Sequence, residues 1–292
     1  MKWKGRRESD RVEDARGDSS PMAGGGMGGG LSTLLTFVLR RFGIKGVLAV
    51  LVIGGVMWKM GLIDPSMMLS GGAAPQAEVS AEDEERFQFV KVVLADTEDV
   101  WKQEFARMGM EYQLPAMKVY RGRTHTGCGT GDANMGPFYC PADATVYIDL
   151  GFYDELAQTF KSPGDFAQAY VIAHEVGHHV QKLLGISDKV AARRGRPDYN
   201  EWSVRLELQA DYFAGVWAHH NQRYLDHGDI EEAMRAANAI GDDAIQKKMQ
   251  GRVVPHAFTH GTSEQRMRWF KKGLNQGSLA GGDTFSQAYG DL

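Results

Sequence analysis

The chain has 292 residues, of which 43% are hydrophobic and 24% are charged, and this balance is typical of a globular protein with one or two domains. The net charge of −4 conceals a more acidic main part, because residues 64–292 contain 23 Lys and Arg against 32 Asp and Glu. Nucleic-acid-binding domains present a basic surface, so this distribution excludes nucleic acid as the expected partner.

The beginning of the chain divides into a charged, glycine-rich segment and an apolar segment. Residues 1–41 contain few residues that build a core, and we predict a disordered cytoplasmic tail. Residues 42–63 predict one transmembrane helix, because the lysines near both ends can extend their charged groups to the membrane surface. Basic residues precede this segment, so the N-terminus is expected on the cytoplasmic side of the cell inner membrane, and the residues after the span on the periplasmic or extracytoplasmic side. A buried helix of a soluble domain is the alternative.

The remainder is predicted as one domain between two less structured segments. The domain spans residues 82–275. It is preceded by a linker at residues 64–81 and followed by a flexible tail at residues 276–292. Apolar residues at helical spacing predict a helix from about Ala81 to Met108. Alternating apolar residues predict strands at residues 115–121 and 145–150, and we expect a small antiparallel sheet. The fold class is therefore expected to be α+β and mostly helical.

Cys128 and Cys140 are the two cysteines of the chain, and both lie in a glycine-rich stretch. A zinc site built on cysteines would need further ligands, and only His125 is near in the sequence. If the domain lies outside the cytoplasm, a disulfide between the two cysteines is the expected state. Two buried free thiols are the alternative.

Residues 162–185 contain the motif His-Glu-Val-Gly-His and are predicted to form one helix with Ser162 as its cap. Residues four apart share a helix face, so His174 and His178 can direct both imidazoles to one point. Glu175 can then act on a water molecule as general base, which is the arrangement of a zinc hydrolase. Ordinary surface or core histidines are the alternative, which the apolar surroundings disfavour because unpartnered polar groups are costly there.

A second helix, predicted at about residues 201–225, carries Glu207 and Asp211 four residues apart on one face. Glu207 can complete a metal-ligand set of two histidines and one glutamate. Asp211 can accept the second ring N–H of a histidine ligand and thereby select its tautomer. A solvated acidic edge is the alternative. The longer three-histidine zinc motif is excluded, because Leu184 stands where that motif requires its third histidine.

The last predicted helix begins with a capping box formed by Thr262 and Gln265 and ends at Gly273. His260 precedes this helix, and Arg266 lies on its first turn. A histidine and an arginine near a zinc ion can stabilise the oxyanion that forms when water attacks a carbonyl group. A capping histidine and a surface arginine are the alternative interpretation.

Several stretches of the chain together resemble one family. They are KWKGRRESDRVEDARG, GCGTGDANMGPFYCP, AHEVGHHVQ, ELQADYFAGVWAHH and THGTSEQRMRWF. With the single apolar span, they make the chain similar to the bacterial putative neutral zinc metallopeptidase family of the YpfJ type over almost its whole length. The resemblance implies a zinc metallopeptidase and says little about the substrate.

The site is also similar, more distantly, to membrane-associated gluzincins of the HtpX kind, and this resemblance implies a zincin-like metallopeptidase domain. Carried over to this sequence, the zinc ligands are His174, His178 and Glu207. Glu175 becomes the general base, and His260 and Arg266 become transition-state groups. The chain departs from these relatives by its single span and by Gly261, where they have proline.

Residues and resemblance together predict a membrane-anchored zinc metalloendopeptidase with one Zn²⁺ per chain. Glu175 would assist the attack of a zinc-activated water molecule on a peptide bond. The expected fold is a mostly helical, zincin-like α+β domain preceded by one transmembrane helix. The expected partners are a peptide or protein substrate and the inner membrane. A non-catalytic, zinc-stapled extracytoplasmic module that binds proteins is the alternative function.

Overall fold

The computed structural model describes residues 1–18 and 79–292. The predicted transmembrane segment at residues 42–63 lies outside these ranges, as does most of the predicted linker. Among the helices of the described ranges, none is long and apolar enough to cross a membrane. Met1–Arg16 and Val79–Leu292 form one compact unit.

Helices dominate this unit, and a small sheet packs on them. The strands are β1 (Val12–Ala15), β2 (Ala116–Tyr120), β3 (Arg123–Thr126), β4 (Gly129–Asp132), β5 (Phe138–Cys140) and β6 (Thr145–Asp149). The helices are α1 (Ala81–Arg107), α2 (Gly151–Gln158), α3 (Asp165–Leu183), α4 (Ile186–Ala191), α5 (Tyr199–His220), α6 (Asp229–Ala239), α7 (Asp242–Gln250) and α8 (Ser263–Gln276). The α+β class and the mostly helical character predicted from the sequence are confirmed.

The main sheet is mixed, so the prediction of an antiparallel sheet is wrong. Its four strands have the order β1-β2-β6-β5, with β1 and β6 both parallel to β2, and with β5 antiparallel to β6. β3 and β4 form a separate two-stranded antiparallel sheet. These two strands and β5 carry the chain back from the end of β2, so that β6 can run in the same direction as β2. Strand alternation places four apolar side chains in the main core: Met117, Val119, Val146 and Ile148.

Residues 1–16 are part of the fold, so the predicted disordered tail is wrong for this stretch. β1 lies at one edge of the sheet, beside β2. The charged side chains that suggested disorder have partners on α1. Arg7 lies 2.9 Å from Glu98, and the buried Arg16 lies 2.9 Å from Glu84. Ion pairs and strand pairing hold residues 1–16 in the fold, although this segment has too few apolar residues to form a core of its own. The rest of the predicted tail lies outside the described residues.

This packing also bears on the predicted membrane topology. The prediction placed the N-terminus inside and the main domain outside the inner membrane, with a single span between them. Strands that pair in one sheet lie on the same side of any membrane, and β1 pairs with β2 of the main domain. A single crossing between them would separate these two strands, so their pairing requires both to lie on the same side, and the location of the chain stays a prediction.

Helix α3 begins three residues later than the predicted cap. Gly164 occupies the N-cap position with φ 126°, and as a glycine it has no side chain that could cap the helix. The carboxylate of Glu232, on α6, instead accepts a hydrogen bond from the Phe166 backbone N–H at 3.1 Å. Ser162 is therefore not the cap. A carboxylate from a helix that is distant in the sequence replaces the local cap, which no local pattern predicts.

Two glycines let α5 and α8 cross at close range. A Cβ atom at Gly215 would lie 2.1 Å from the carbonyl oxygen of Phe270, and a Cβ atom at Gly273 would lie 2.0 Å from that of Tyr212. Both distances are far below van der Waals contact, so neither position admits a side chain unless a helix moves. Gly273 therefore serves helix packing and does not end the last helix, which continues to Gln276.

Residues 277–292 pack against α5, so the predicted flexible tail is wrong. Thr284 is fully buried, and Leu292 is 1% exposed. The Thr284 hydroxyl donates to the Arg205 carbonyl oxygen at 2.7 Å, and the Arg205 guanidinium donates to the Thr284 carbonyl oxygen. These reciprocal bonds attach the C-terminal segment to α5. The composition of the segment, rich in Gly and Ser, predicted flexibility because it contains no sign of these partners.

Candidate metal centre

The predicted site residues come together where α3 packs against α5. The residues on α3 are His174, Glu175 and His178, and those on α5 are Glu207 and Asp211. Gly177 faces Ala210 at this point, and a Cβ atom at Gly177 would lie 3.1 Å from the Ala210 carbonyl oxygen. The lack of a side chain at Gly177 lets the helices approach closely enough for their polar side chains to meet.

Three side chains present metal-binding atoms to one point: His174, His178 and Glu207. One donor atom from each lies within 4.8 Å of the others. Glu207 Oε2 is 3.2 Å from His174 Nε2, and Glu207 Oε1 is 3.5 Å from His178 Nε2. Ligand atoms about 2.1 Å from a tetrahedral zinc ion lie about 3.4 Å from one another. The donor types and their spacing therefore fit zinc.

His174 is held by a buried charged network. Its Nδ1 lies 2.8 Å from Oδ1 of Asp211, the residue predicted from the sequence to accept a ring N–H of one of the two histidines. Arg266 donates to both oxygens of this carboxylate, at 2.8 and 2.9 Å, and the Tyr170 hydroxyl donates to it at 2.5 Å. Burial alone would raise the pKa of Asp211, but Arg266 and His174 outweigh burial and lower this pKa to about 2. Asp211 is therefore an anion that accepts the Nδ1 proton and leaves Nε2 facing Glu207.

His178 is held by a neutral group. Its Nδ1 lies 2.9 Å from Oε1 of Gln181, which is fully buried and one turn further along α3. The amide oxygen accepts the Nδ1 proton, so Nε2 of this histidine also faces Glu207. The sequence analysis gave Gln181 no role in the site. The one available signal was its position three residues after a histidine ligand, on the same helix face.

The ligand side chains influence one another's protonation. Burial alone would raise the pKa of Glu207, but His178 and His174 outweigh burial and lower this pKa well below its ordinary value. Burial alone would lower the pKa of each histidine, but the carboxylates outweigh burial and raise that of His174 to about 10. A metal ion must displace protons from the imidazoles, so metal binding is expected to weaken in acid.

Glu175 is buried beside the three donor groups, with 8% exposure. Among the described side chains, none donates a hydrogen bond to its carboxylate. Burial raises the pKa of Glu175, while His174 and His178 act in the opposite direction. A carboxylate with a raised pKa and no hydrogen-bond donor among the described side chains, next to imidazoles that could bind a metal, is suited to accept a proton.

Arg266 lies deeper than the sequence analysis expected, with only 3% exposure. Besides Asp211, its guanidinium donates to the Ile240 carbonyl oxygen at 3.1 Å and lies 3.4 Å from the Tyr170 hydroxyl. These contacts hold its guanidinium in the core, where it has almost no exposure to solvent. The predicted transition-state role therefore does not fit the geometry, and neither does the alternative of a surface arginine. Arg266 is the buried partner of Asp211.

His260 lies at the edge of the site with a half-exposed side chain. Its Nδ1 lies 3.2 Å from Asp242 Oδ1, and its backbone N–H donates to Asp242 Oδ2 at 2.6 Å. The hydrogen bond to Asp242 raises the pKa of His260, and Glu207 raises it further, against burial. The sequence analysis did not identify Asp242 as the partner of His260, because nothing local connects it to a histidine that lies a loop away on the chain.

The Cys128–Cys140 disulfide predicted from the sequence is confirmed, with the Cα atoms 5.8 Å apart. It anchors β5, the strand that contacts α3. The Tyr139 hydroxyl of this strand lies 2.9 Å from His179 Nδ1, while His179 Nε2 lies 2.6 Å from the Gln113 carbonyl oxygen. His179 therefore joins the sheet to α3 and takes no part in the metal centre.

A second group of acidic side chains, at the start of α3 and α6, has a different character. Asp165, Asp229 and Glu232 place one oxygen each within 4.8 Å of the others. The Met1 ammonium lies 2.8 Å from Asp165 and 3.4 Å from Asp229. This group already has a cation and contains no imidazole, so it does not resemble a zinc site.

A helix with two histidines four residues apart and a glutamate beside the first, completed by a glutamate from a second helix, defines the class of metal-dependent hydrolase sites. The model of the putative neutral zinc metallopeptidase family matches residues 1–285. The chain belongs to this family, as the resemblance indicated.

Relatives in two bacterial groups match much or all of the chain. The YpfJ protein of Escherichia coli is 49% identical over 99% of this chain and 100% of its own length. The Mb2605 protein of Mycobacterium bovis is 38% identical over 80% of this chain and 83% of its own length. No solved structure matches the chain.

Proposed function

We propose that the protein is a zinc-dependent metalloendopeptidase. One observation carries the proposal: the buried carboxylate of Glu175, which accepts no hydrogen bond from any described side chain, lies beside the convergent donor atoms of His174, His178 and Glu207. Three metal-binding residues and an adjacent free base are the parts that metal-assisted hydrolysis of a peptide bond requires. Membership of a zinc metallopeptidase family supports the same activity.

The residues of the site divide the chemistry between them. His174, His178 and Glu207 would hold one zinc ion, which when bound supplies a Lewis acid and lowers the pKa of water. Glu175 accepts a proton from the water molecule that attacks the peptide carbonyl. It then donates this proton to the nitrogen of the leaving amine. Its raised pKa suits both steps, because a weakly acidic carboxyl group can both take up and hold the proton.

His260 is the residue that we propose to stabilise the negative charge developing on the carbonyl oxygen. Its side chain is half-exposed, so a substrate can reach it, and Asp242 favours its cationic form. A positioned cationic donor is effective where charge develops in a site sheltered from water. Arg266 supports the site indirectly, because it orients the Asp211 carboxylate that bonds His174.

The alternative function, a non-catalytic module with zinc as a structural staple, explains less of the site. A structural zinc site uses four protein ligands and needs no base. Here three residues converge, and Glu175 stands beside them without a hydrogen-bonding partner among the described side chains. Burial of an unpartnered carboxylate is costly, and catalysis gives a reason to retain it.

The test is digestion of unfolded casein by the purified full chain loaded with zinc. The full chain is required because residues 1–16 belong to the folded unit. Glu175→Gln is expected to keep one zinc per chain, measured by elemental mass spectrometry, and to cleave about 10²–10⁴-fold more slowly. Cleavage by Glu175→Gln at the native rate would contradict the role of this residue.

A matched control is Glu104→Gln, which changes another buried glutamate, on α1, that pairs with Arg107 and His220 outside the site. It is expected to cleave at the native rate. Zinc binding by the native chain without any cleavage would favour the non-catalytic alternative.

We also propose an extracytoplasmic location for the folded unit, because disulfides persist in oxidising compartments and Cys128 is bonded to Cys140. Residues 1–16 then share this location. Association with the inner membrane, suggested by the apolar residues 42–63, is a separate proposal on which the chemistry does not depend. Free thiols at both cysteines in protein alkylated directly in cells would contradict the location.

A further inference from the structure

Two glutamines connect a proposed metal ligand with the C-terminal segment. Gln181 on α3 is fully buried, and Gln209 on α5 is 5% exposed. Gln181 Nε2 lies 3.1 Å from Gln209 Oε1, and Gln209 Nε2 lies 2.8 Å from the carbonyl oxygen of Gly282. Together with the bond between Gln181 and His178, these contacts form a continuous series of hydrogen bonds from His178 to Gly282, the glutamine relay.

Backbone carbonyl groups set the direction of this chain. The Gly282 carbonyl oxygen can only accept, so it selects the NH₂ end of Gln209 and turns Oε1 of Gln209 toward Gln181. The Leu206 carbonyl oxygen, 2.6 Å from Gln181 Nε2, likewise selects the NH₂ end of Gln181. The Oε1 atom of Gln181 must therefore face His178. Both amide orientations follow from groups whose polarity is not in doubt.

An amide oxygen facing Nδ1 requires that Nδ1 of His178 carries the proton. The lone pair of that imidazole is then on Nε2, the atom that lies 3.5 Å from Glu207. If Gln181 were turned over, its NH₂ group would face Nδ1 and favour the tautomer that cannot bind a metal through Nε2. If Gln209 were turned over, its NH₂ group would face the NH₂ group of Gln181, which would favour that wrong orientation of Gln181. The amide orientations that the backbone carbonyl groups select are therefore also the ones that leave Nε2 of His178 able to bind a metal.

We propose that Gln181 and Gln209 are positioning residues, and that with the Gly282 carbonyl they hold His178 in the tautomer and orientation needed for zinc. This inference rests on the proposed zinc site. It makes the C-terminal segment a working part of the metal centre, although that segment is far from the metal ligands in the sequence.

The C-terminal segment is held firmly enough for this role. Thr284, two residues after the relay carbonyl, is fully buried and exchanges hydrogen bonds with the backbone and side chain of Arg205. Arg205 and Gln209 lie four residues apart on α5, so one helix face carries both the anchor and the relay. Gly282 is thereby kept within reach of Gln209.

A rival explanation is that the glutamines only satisfy each other in a buried region. The two explanations differ at His178, because a merely structural network affects stability and leaves zinc affinity unchanged. The discriminating variants are Gln181→Met, which removes the relay, and Gln181→Glu, which keeps an acceptor for the Nδ1 proton. Gln209→Met removes the second link without touching a ligand. Asn221→Leu is the matched control, since it removes a buried amide at the end of α5 away from the site.

The first measurement is zinc affinity of each full-chain variant, by competition with a chromogenic chelator. We expect Gln181→Met to weaken zinc binding about 10–100-fold, the range typical of partners that orient a metal-binding histidine. Gln209→Met is expected to weaken it less, by about threefold to tenfold, as its effect passes through Gln181. Gln181→Glu is expected to remain within about threefold of the native affinity, since carboxylates also orient histidine ligands. Asn221→Leu is expected to bind zinc as the native chain does.

The second measurement is the ring N–H spectrum of the zinc-loaded chain labelled with ¹⁵N-histidine. We expect slowly exchanging Nδ1–H signals from both His174 and His178 in the native protein and in Gln181→Glu, and we expect the His178 signal to be lost in Gln181→Met while the His174 signal persists. Native zinc affinity together with a retained His178 signal in Gln181→Met would overturn the relay and leave the proposed function intact. Failure of the native chain to bind zinc would overturn the proposed function, and the relay with it.

Discussion

The two histidines of the metal centre are held by networks of opposite character. On one side, His174 bonds to Asp211, which is held by Arg266 and Tyr170, and this network is charged and fully enclosed. On the other side, His178 bonds to Gln181 at the start of a neutral relay. Both networks orient an imidazole in the same way, because each accepts the Nδ1 proton and leaves Nε2 facing Glu207, where the proposed zinc ion would bind.

The difference lies in the energetic consequence of losing one member. Removal of one partner from a buried ion pair leaves a charge in the core without compensation, which costs about 3–5 kcal/mol. Removal of one partner from a neutral buried hydrogen bond costs about 1–3 kcal/mol. The charged network therefore stabilises the fold as well as the site, and the neutral network mainly tunes the site.

Arg266→Met is the strongest test of this comparison. It leaves the Asp211 carboxylate, at 0% exposure, without its cationic partner. We expect the free energy of unfolding, measured by urea denaturation, to fall by about 3–5 kcal/mol. The matched control is Arg205→Met, which removes a buried arginine that donates to the Thr284 carbonyl oxygen, and its expected cost is about 1–3 kcal/mol. Equal losses in the two variants would break the distinction between charged and neutral networks.

Removal of the disulfide is expected to destabilise the fold independently of both networks. Cys128 and Cys140 are separated by 12 residues, and the loss of such a closure costs about 3 kcal/mol in the loop-entropy model. We expect Cys128→Ser with Cys140→Ser to lower the free energy of unfolding by about this amount and to leave zinc affinity unchanged. A loss of zinc affinity in this double variant would show that β5 is coupled to the metal centre.

The smallest expected effect concerns the pH dependence of activity. Asp242 raises the pKa of His260, so the cationic form persists to higher pH, and activity that needs this form declines as pH rises through that pKa. Asp242→Asn should move the decline to lower pH. Because the imidazole is half-exposed, the pair is worth about 1 kcal/mol or less, which corresponds to a shift of less than about one pH unit.

The matched control for this change is Asp243→Asn. Asp243 accepts from the Ser263 backbone N–H at 2.7 Å and from its hydroxyl at 2.8 Å, so it bonds to the first residue of α8 and forms no hydrogen bond with His260. The pH profile of casein cleavage should be unchanged in this variant. An unchanged profile in Asp242→Asn would remove His260 from the proposed chemistry.

The parts of the site predicted correctly from the sequence depend on spacing within a single helix. His174 and His178 share a face of α3, and Glu207 and Asp211 share a face of α5, because residues four apart on a helix are neighbours. The contact between Asp211 and His174 followed once the helices were taken to face each other. Helix α1 was predicted for the same reason, from a local repeat of apolar residues.

The wrong predictions concern segments whose partners are distant in the sequence. Residues 1–16 pair with β2 and α1, and residues 277–292 attach to α5, although their compositions predicted disorder. Arg266 was placed near the substrate because it follows His260 closely and because the resemblance to gluzincins implied that role, whereas Asp211 binds it across the core. Gly273 was taken as a helix end, whereas the backbone of α5 occupies the space beside it.

The sequence by itself determined most of the helices and which candidate site residues share a helix face, because a helix fixes the relative direction of side chains three and four positions apart. Only the tertiary structure decided which hydrogen-bond partner orients each of the two histidines. The partners of His178 extend from Gln181 through Gln209 to Gly282, and that of Arg266 is on another helix. The physical reason is that hydrogen bonds and ion pairs form between groups that packing brings together, and no local repeat encodes the distance between them.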